Sequence, residues 1–226
     1  MILKISSIDN LYRFHFIYWL MQKDPRFKNQ TFNQESIRSY LSDYATGLQE
    51  TLKAVPAAAL DAALQMLMNA RQNGHTIFVA GNGGSSAIAE HLSCDWQKGV
   101  HVHGKSCLKV HSLSSNMPLL TAISNDFGYD QSFSFQLELA EPKANDVVVL
   151  ISSSGKSENI LKAARFAKER GCKVIGLTGF SGGPLKDLSD VSLHVPFDNY
   201  GLVEDAHQVM MHVLAQYHDL QFRKNT

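Results

Sequence analysis

What most constrains this chain is an alternation that begins at residue 76. Short runs at 76–80, 107–113, 146–152, 173–178 and 191–196 are rich in β-branched and apolar residues. Between them lie stretches of helical character at 86–97, 117–124, 129–140, 158–170, 185–189 and 202–223. The run Val147-Val148-Val149-Leu150-Ile151 is apolar at every position, as a strand buried on both faces requires. Strand–helix alternation of this kind predicts an α/β fold, a parallel sheet covered on both faces by helices. Ligands in such sheets bind beyond the carboxyl ends of the strands.

Two turns at those ends carry unusual chemistry. The first is Gly81-Asn82-Gly83-Gly84-Ser85-Ser86, between the strand at 76–80 and the helix that follows. Its glycines allow close backbone approach. Its serines serve as helix caps or as ligand hydroxyls, and a helix N-terminus attracts an anion. The second is Ser152-Ser153-Ser154-Gly155-Lys156-Ser157, before the helix at 158–170. Ser152, Ser153, Ser154 and Ser157 place four hydroxyls beside one helix N-terminus, a nest for a phosphate monoester. Neither turn is a nucleotide fingerprint. A P-loop needs glycine where Leu150 stands, and the dinucleotide motif needs glycine where Ser86 stands. Asn125-Asp126-Phe127-Gly128 lacks the other kinase motifs. It reads as a turn that ends a helix or presents Asn125 and Asp126 to a sugar.

Before residue 76, an amphipathic helix is predicted from Asn33 to Lys53 with Ile37, Leu41, Tyr44, Leu48 and Leu52 on one stripe. A second starts at Pro56 and carries Leu60, Leu64, Leu67 and Met68. The two stripes hold more apolar surface than one sheet face covers, which predicts a homo-oligomer. Residues 1–33 read as an arm or accessory helix, and 34–226 as the main domain. The segment 14–21 is too short to span a bilayer. With 21 basic and 21 acidic residues, the charge gives no reason to expect nucleic acid or membrane as a partner. Three cysteines without metal-type spacing and no visible export signal fit a reducing cytoplasm.

One further constellation bears on chemistry. His91 and Asp95 are four apart on one predicted helix; Glu204 and His212 are eight apart on the last. These four suit a divalent metal, zinc first. They equally suit proton transfer, with Asp95 and His212 as the acid–base pair. Eight helical residues span about 12 Å, so Glu204 and His212 meet one atom only by leaning together.

In order and spacing, the glycine turn, the Asn125–Gly128 turn, the serine turn and the Glu204–His212 stretch resemble the sugar isomerase (SIS) domain family. The likeness is to its phosphoheptose isomerases and the related DnaA initiator-associating proteins, and it covers the chain from about Ser36 onward. It implies a flavodoxin-like five-stranded parallel sheet, with N-terminal helices building a homotetramer. The implied reaction interconverts sedoheptulose 7-phosphate and a heptose 7-phosphate, feeding surface-polysaccharide synthesis. The resemblance implies that Asn82, Gly83 and Gly84 line the substrate, with Ser85 supporting them. It gives the phosphate to Ser152, Ser153, Ser154 and Ser157, and sugar contacts to Asn125 and Asp126. The family's histidines fall on His91 and His212. Its catalytic glutamate falls on Asp95, one methylene shorter, and a substrate-binding glutamine on Glu204, which exchanges an amide for a carboxylate. A non-catalytic SIS protein that binds a phosphosugar or DnaA is the alternative.

Overall fold

The computed structural model describes residues 32–224; all but the last two residues of the expected arm at 1–33 lie outside them. Helix α1 (Ile37–Lys53) begins at a reciprocal cap, in which Ser36 Oγ accepts from Ser39 N and Ser39 Oγ accepts from Ser36 N. Helix α2 (Ala57–Asn73) follows Pro56 and ends at Gly74, whose φ of 69° stops the helix. The α/β part then runs β1 (Thr76–Gly81), α3 (Gly84–Cys94), β2 (Lys109–Ser112), α4 (Met117–Phe127), α5 (Ser132–Ala140), β3 (Val147–Ser152), α6 (Glu158–Glu169), β4 (Lys173–Thr178), α7 (Gly183–Leu188), β5 (Val191–His194) and α8 (Tyr200–Lys224).

All five strands are parallel, in the order β2-β1-β3-β4-β5. The apolar runs divide by alternation. Ile77, Val79, Val147, Val149 and Ile151 face one core, against residues of α2, α3 and α8 such as Leu67, Leu92 and Met211. Phe78, Ala80, Val148 and Leu150 face the other, against Phe133, Leu137, Ile160 and Ala164. From β1 the chain steps to one side to make β2, then to the other to make β3. Such a reversal opens a crevice at the carboxyl ends of the two strands flanking it. Gly81 of β1 is paired with Ile151 of β3, so the glycine turn and the serine turn emerge side by side.

The strand expected from residue 107 begins only at Lys109. The reason is Arg71, 1% exposed, whose Nε donates to Ser106 O (2.8 Å) and Nη2 to Val100 O (3.1 Å). One guanidinium thus pins both ends of the loop 101–106, and the Phe222 ring of α8 lies 3.4 Å from its Cζ. The helix expected to run to residue 97 changes pitch after Cys94 into a π-helical turn, Asp95–Gly99, a form frequent at functional sites. The two apolar stripes fare differently. Leu64 and Leu67 are buried within the chain, whereas Ile37 and Leu41 are 85% and 64% exposed. No helix among the described residues is long and apolar enough to cross a membrane.

Candidate active site

A cavity of about 180 Å³ opens where the two turns meet, lined by Asn82, Ser85, Ile151, Ser152, Ser153, Ser154, Ser157, Tyr200 and Glu204. Seven of these were read from the sequence as substrate contacts or as phosphate holders; Ile151 and Tyr200 are additions. The serine turn is rigid. Gly155 N donates to Ser152 O (2.9 Å), and Gly179 N donates to Ser153 O (2.7 Å). Gly155 has φ +63°, and a Cβ there would run into Gly182 O, so only glycine allows this close approach. The hydroxyls of Ser152 and Ser157 lie 3.4 Å apart. Ser153 Oγ is buried without a hydrogen-bond partner, and a ligand oxygen in the cavity would supply one.

Asn82 is held from its far side. Its Nδ2 donates to Asn159 Oδ1 (2.9 Å) and its Oδ1 accepts from Asn159 Nδ2 (3.0 Å). Tyr129 OH also donates to that Oδ1 (2.6 Å). Asn159, in the first turn of α6, therefore ties the glycine turn to the serine turn. Sequence reasoning missed Asn159 and Tyr129, because no spacing rule links residues 77 and 47 positions away. Asn125 and Asp126 do not line the cavity. They bond to each other, Asn125 Nδ2 donating to Asp126 Oδ1 (2.8 Å), at the exposed end of α4.

Asp95 Oδ2 stands between two imidazoles, 3.5 Å from His91 Nε2 and 3.6 Å from His212 Nε2. The two rings meet edge to face, 4.9 Å between centroids. Ligand-type atoms of these three residues lie within 4.8 Å of one another. Glu204, expected to complete this set, stands outside it because two helical turns separate it from His212. Gln208, one turn from each, takes the place instead: its Nε2 lies 3.0 Å from His91 Nδ1 and 3.3 Å from His212 Nε2. The 204/208/212 spacing was the signal that could have found it.

Glu204 belongs to the phosphate end. Its carboxylate packs against Gly84, where any Cβ would collide with it. Burial, and then the charge of Asp205, push its carboxyl pKa up. Asp205 is held in turn by Tyr44 OH (2.6 Å), which fastens α1 to the first turns of α8.

The SIS domain model matches residues 40–179. The phosphoheptose isomerase of Helicobacter pylori strain Shi470 is 39% identical over 152 residues, 67% of this chain and 78% of that protein. That of Geotalea daltonii is 36% identical over 182 residues, 80% of this chain and 93% of that protein. The phosphoheptose isomerase structure from Neisseria gonorrhoeae superposes with a TM-score of 0.73 at 32% identity, covering 82% of this chain and 98% of that one. By this domain match and these relatives, the chain belongs to the SIS domain family, among the phosphoheptose isomerases.

Proposed function

We propose that the protein is a phosphosugar aldose–ketose isomerase that interconverts sedoheptulose 7-phosphate and D-glycero-D-manno-heptose 7-phosphate. The observation that carries this reading is the pairing of a phosphate nest with a proton-transfer group along the packed helices α3 and α8. On α3, six residues or about 9 Å separate Ser85 from His91; on α8, eight residues or about 12 Å separate Glu204 from His212. That span suits a long phosphosugar chain with its phosphate in the nest and its carbonyl end at Asp95. The relatives' names support the same substrate class.

Isomerisation moves a proton between adjacent carbons through an enediol. It needs a base at carbon and a group that exchanges protons with the carbonyl oxygen. Asp95 serves as the base, and His212, 3.6 Å away, serves the oxygen. His91 braces the carboxylate from the other side, and Gln208 orients both rings. The same groups fit a divalent ion. Their separations of 3.5 and 3.6 Å approach the roughly 3.3 Å edge of a tetrahedral zinc site. His91, Asp95 and His212 would hold it, and it would supply polarisation of the substrate carbonyl.

Purified protein should convert sedoheptulose 7-phosphate to the aldose and exchange solvent deuterium into the ketose, with metal content measured on the same sample. Absence of both conversion and exchange under metal-replete conditions overturns the isomerase reading. Full activity without bound metal overturns the metal role alone. We further propose a homotetramer, supported by the exposed apolar face at Ile37 and Leu41.

A further inference from the structure

The cavity that holds the serine nest contains one carboxylate and, among its lining residues, no lysine or arginine. That carboxylate is Glu204. Among the described residues it makes no hydrogen bond or ion pair, and its neighbour Asp205 is already held by Tyr44. Two helix N-termini open toward the cavity, those of α3 and α6, and the Glu204 carboxylate lies against the first residue of α3, Gly84. A phosphate is thereby confined to the α6 side, among Ser152, Ser153, Ser154 and Ser157. Glu204 lines the same cavity as the nest, and only hydrogen-bond donors satisfy its oxygens. For a bare anion in this cavity, the serine nest and the α6 N-terminus work against the repulsion of Glu204, which no other contact relieves. A phosphate carried on a polyol brings hydroxyls that donate charge-assisted bonds to the carboxylate.

We propose that Glu204 is the specificity-determining residue of this cavity: it disfavours free phosphate and admits a phosphate borne on a polyhydroxyl chain whose hydroxyls donate to its carboxylate. The inference deepens the isomerase reading and rests on it. Glu204→Gln removes the charge and keeps the shape. Calorimetric titration of the full chain at pH 8 and fixed ionic strength, with inorganic phosphate and with sedoheptulose 7-phosphate, separates the effects. The variant should bind inorganic phosphate at least about tenfold more tightly, the size expected for removing one charge beside a partly screened anion site. Its affinity for the phosphosugar should stay level or fall, so the preference for the sugar collapses. A loss of packing would weaken both ligands together, and parallel movement, or unchanged phosphate affinity, overturns the proposal. If the wild type fails to bind sedoheptulose 7-phosphate at all, the isomerase reading fails and this inference falls with it. If the wild type binds it and the variant keeps the same preference, this inference alone fails.

Discussion

Replacing Asn159 by alanine should damage stability and substrate binding together. Asn159 is 2% exposed and makes four hydrogen bonds: its Oδ1 accepts from Asn82 Nδ2 (2.9 Å) and Ile160 N (3.0 Å), and its Nδ2 donates to Asn82 Oδ1 (3.0 Å) and Ser132 Oγ (3.1 Å). Ile160 and Ser132 are both 0% exposed, so water does not readily replace the lost partner. A buried donor left unpaired costs about 1–3 kcal/mol and each remaining bond about 0.5–1.5. Asn82 keeps Tyr129 as a donor, which brings the total to about 3 kcal/mol. For a chain of this size that lowers Tm by about 6–12 °C. Tyr129→Phe removes a single bond from a half-exposed ring and should cost no more than about 1 kcal/mol. Differential scanning calorimetry measures both, and steady-state kinetics on the phosphosugar should show KM rising in Asn159→Ala as the two turns lose their tie. If Asn159→Ala melts within about 2 °C of wild type, the amide pair is not what holds the site together.

Asp95→Asn and His212→Gln should each lower kcat by about 10²–10⁴-fold while calorimetry still detects phosphosugar binding; unchanged rates would remove them from the chemistry. Burial depresses His207 and His218 to pKa values of about 4, below the ordinary 6.5. The unfolded chain therefore takes up their protons first. Their stabilisation is complete above about pH 6.5 and is lost as pH falls toward 4, by roughly 1 kcal/mol per pH unit for each. Urea denaturation at pH 7.5 and 5 checks this, and equal stability at both refutes it. Changing Ile37 and Leu41 to lysine should convert an oligomer to smaller species in light scattering; a wild type that is already monomeric would overturn the tetramer.

Much of the sheet was legible because its strands are buried on both faces and read as unbroken apolar runs. The two turns were legible because glycine and serine at a strand's end have few other reasons to cluster. Legibility failed where one residue depends on a distant one. The late start of β2 follows from Arg71, 35 residues from the carbonyl of Ser106, and no local propensity encodes that clasp. A carboxylate at Glu204 is the better ligand type, whereas helical geometry favours Gln208, the residue one turn from His212. The stripe from Ile37 to Leu52 is real, but periodicity cannot say which part a chain covers itself: Leu48 and Leu52 pack on the core while Ile37 and Leu41 do not.

The Arg71 clasp has a kinetic side. The loop it pins carries Lys105, exposed at the surface, and trypsin would cut there only when the backbone can enter the protease cleft. Two of its fastening points, Val100 O and Ser106 O, belong to one guanidinium, and His101 Nδ1 meets Cys107 Sγ across the base of the loop (3.3 Å), so opening the Arg71 clasp loosens both ends together. The Phe222 ring that covers the clasp comes from the last turns of α8. Fraying of the last turns of α8 should therefore loosen a peptide bond more than a hundred residues earlier, and the rate of nicking at Lys105 reports on it.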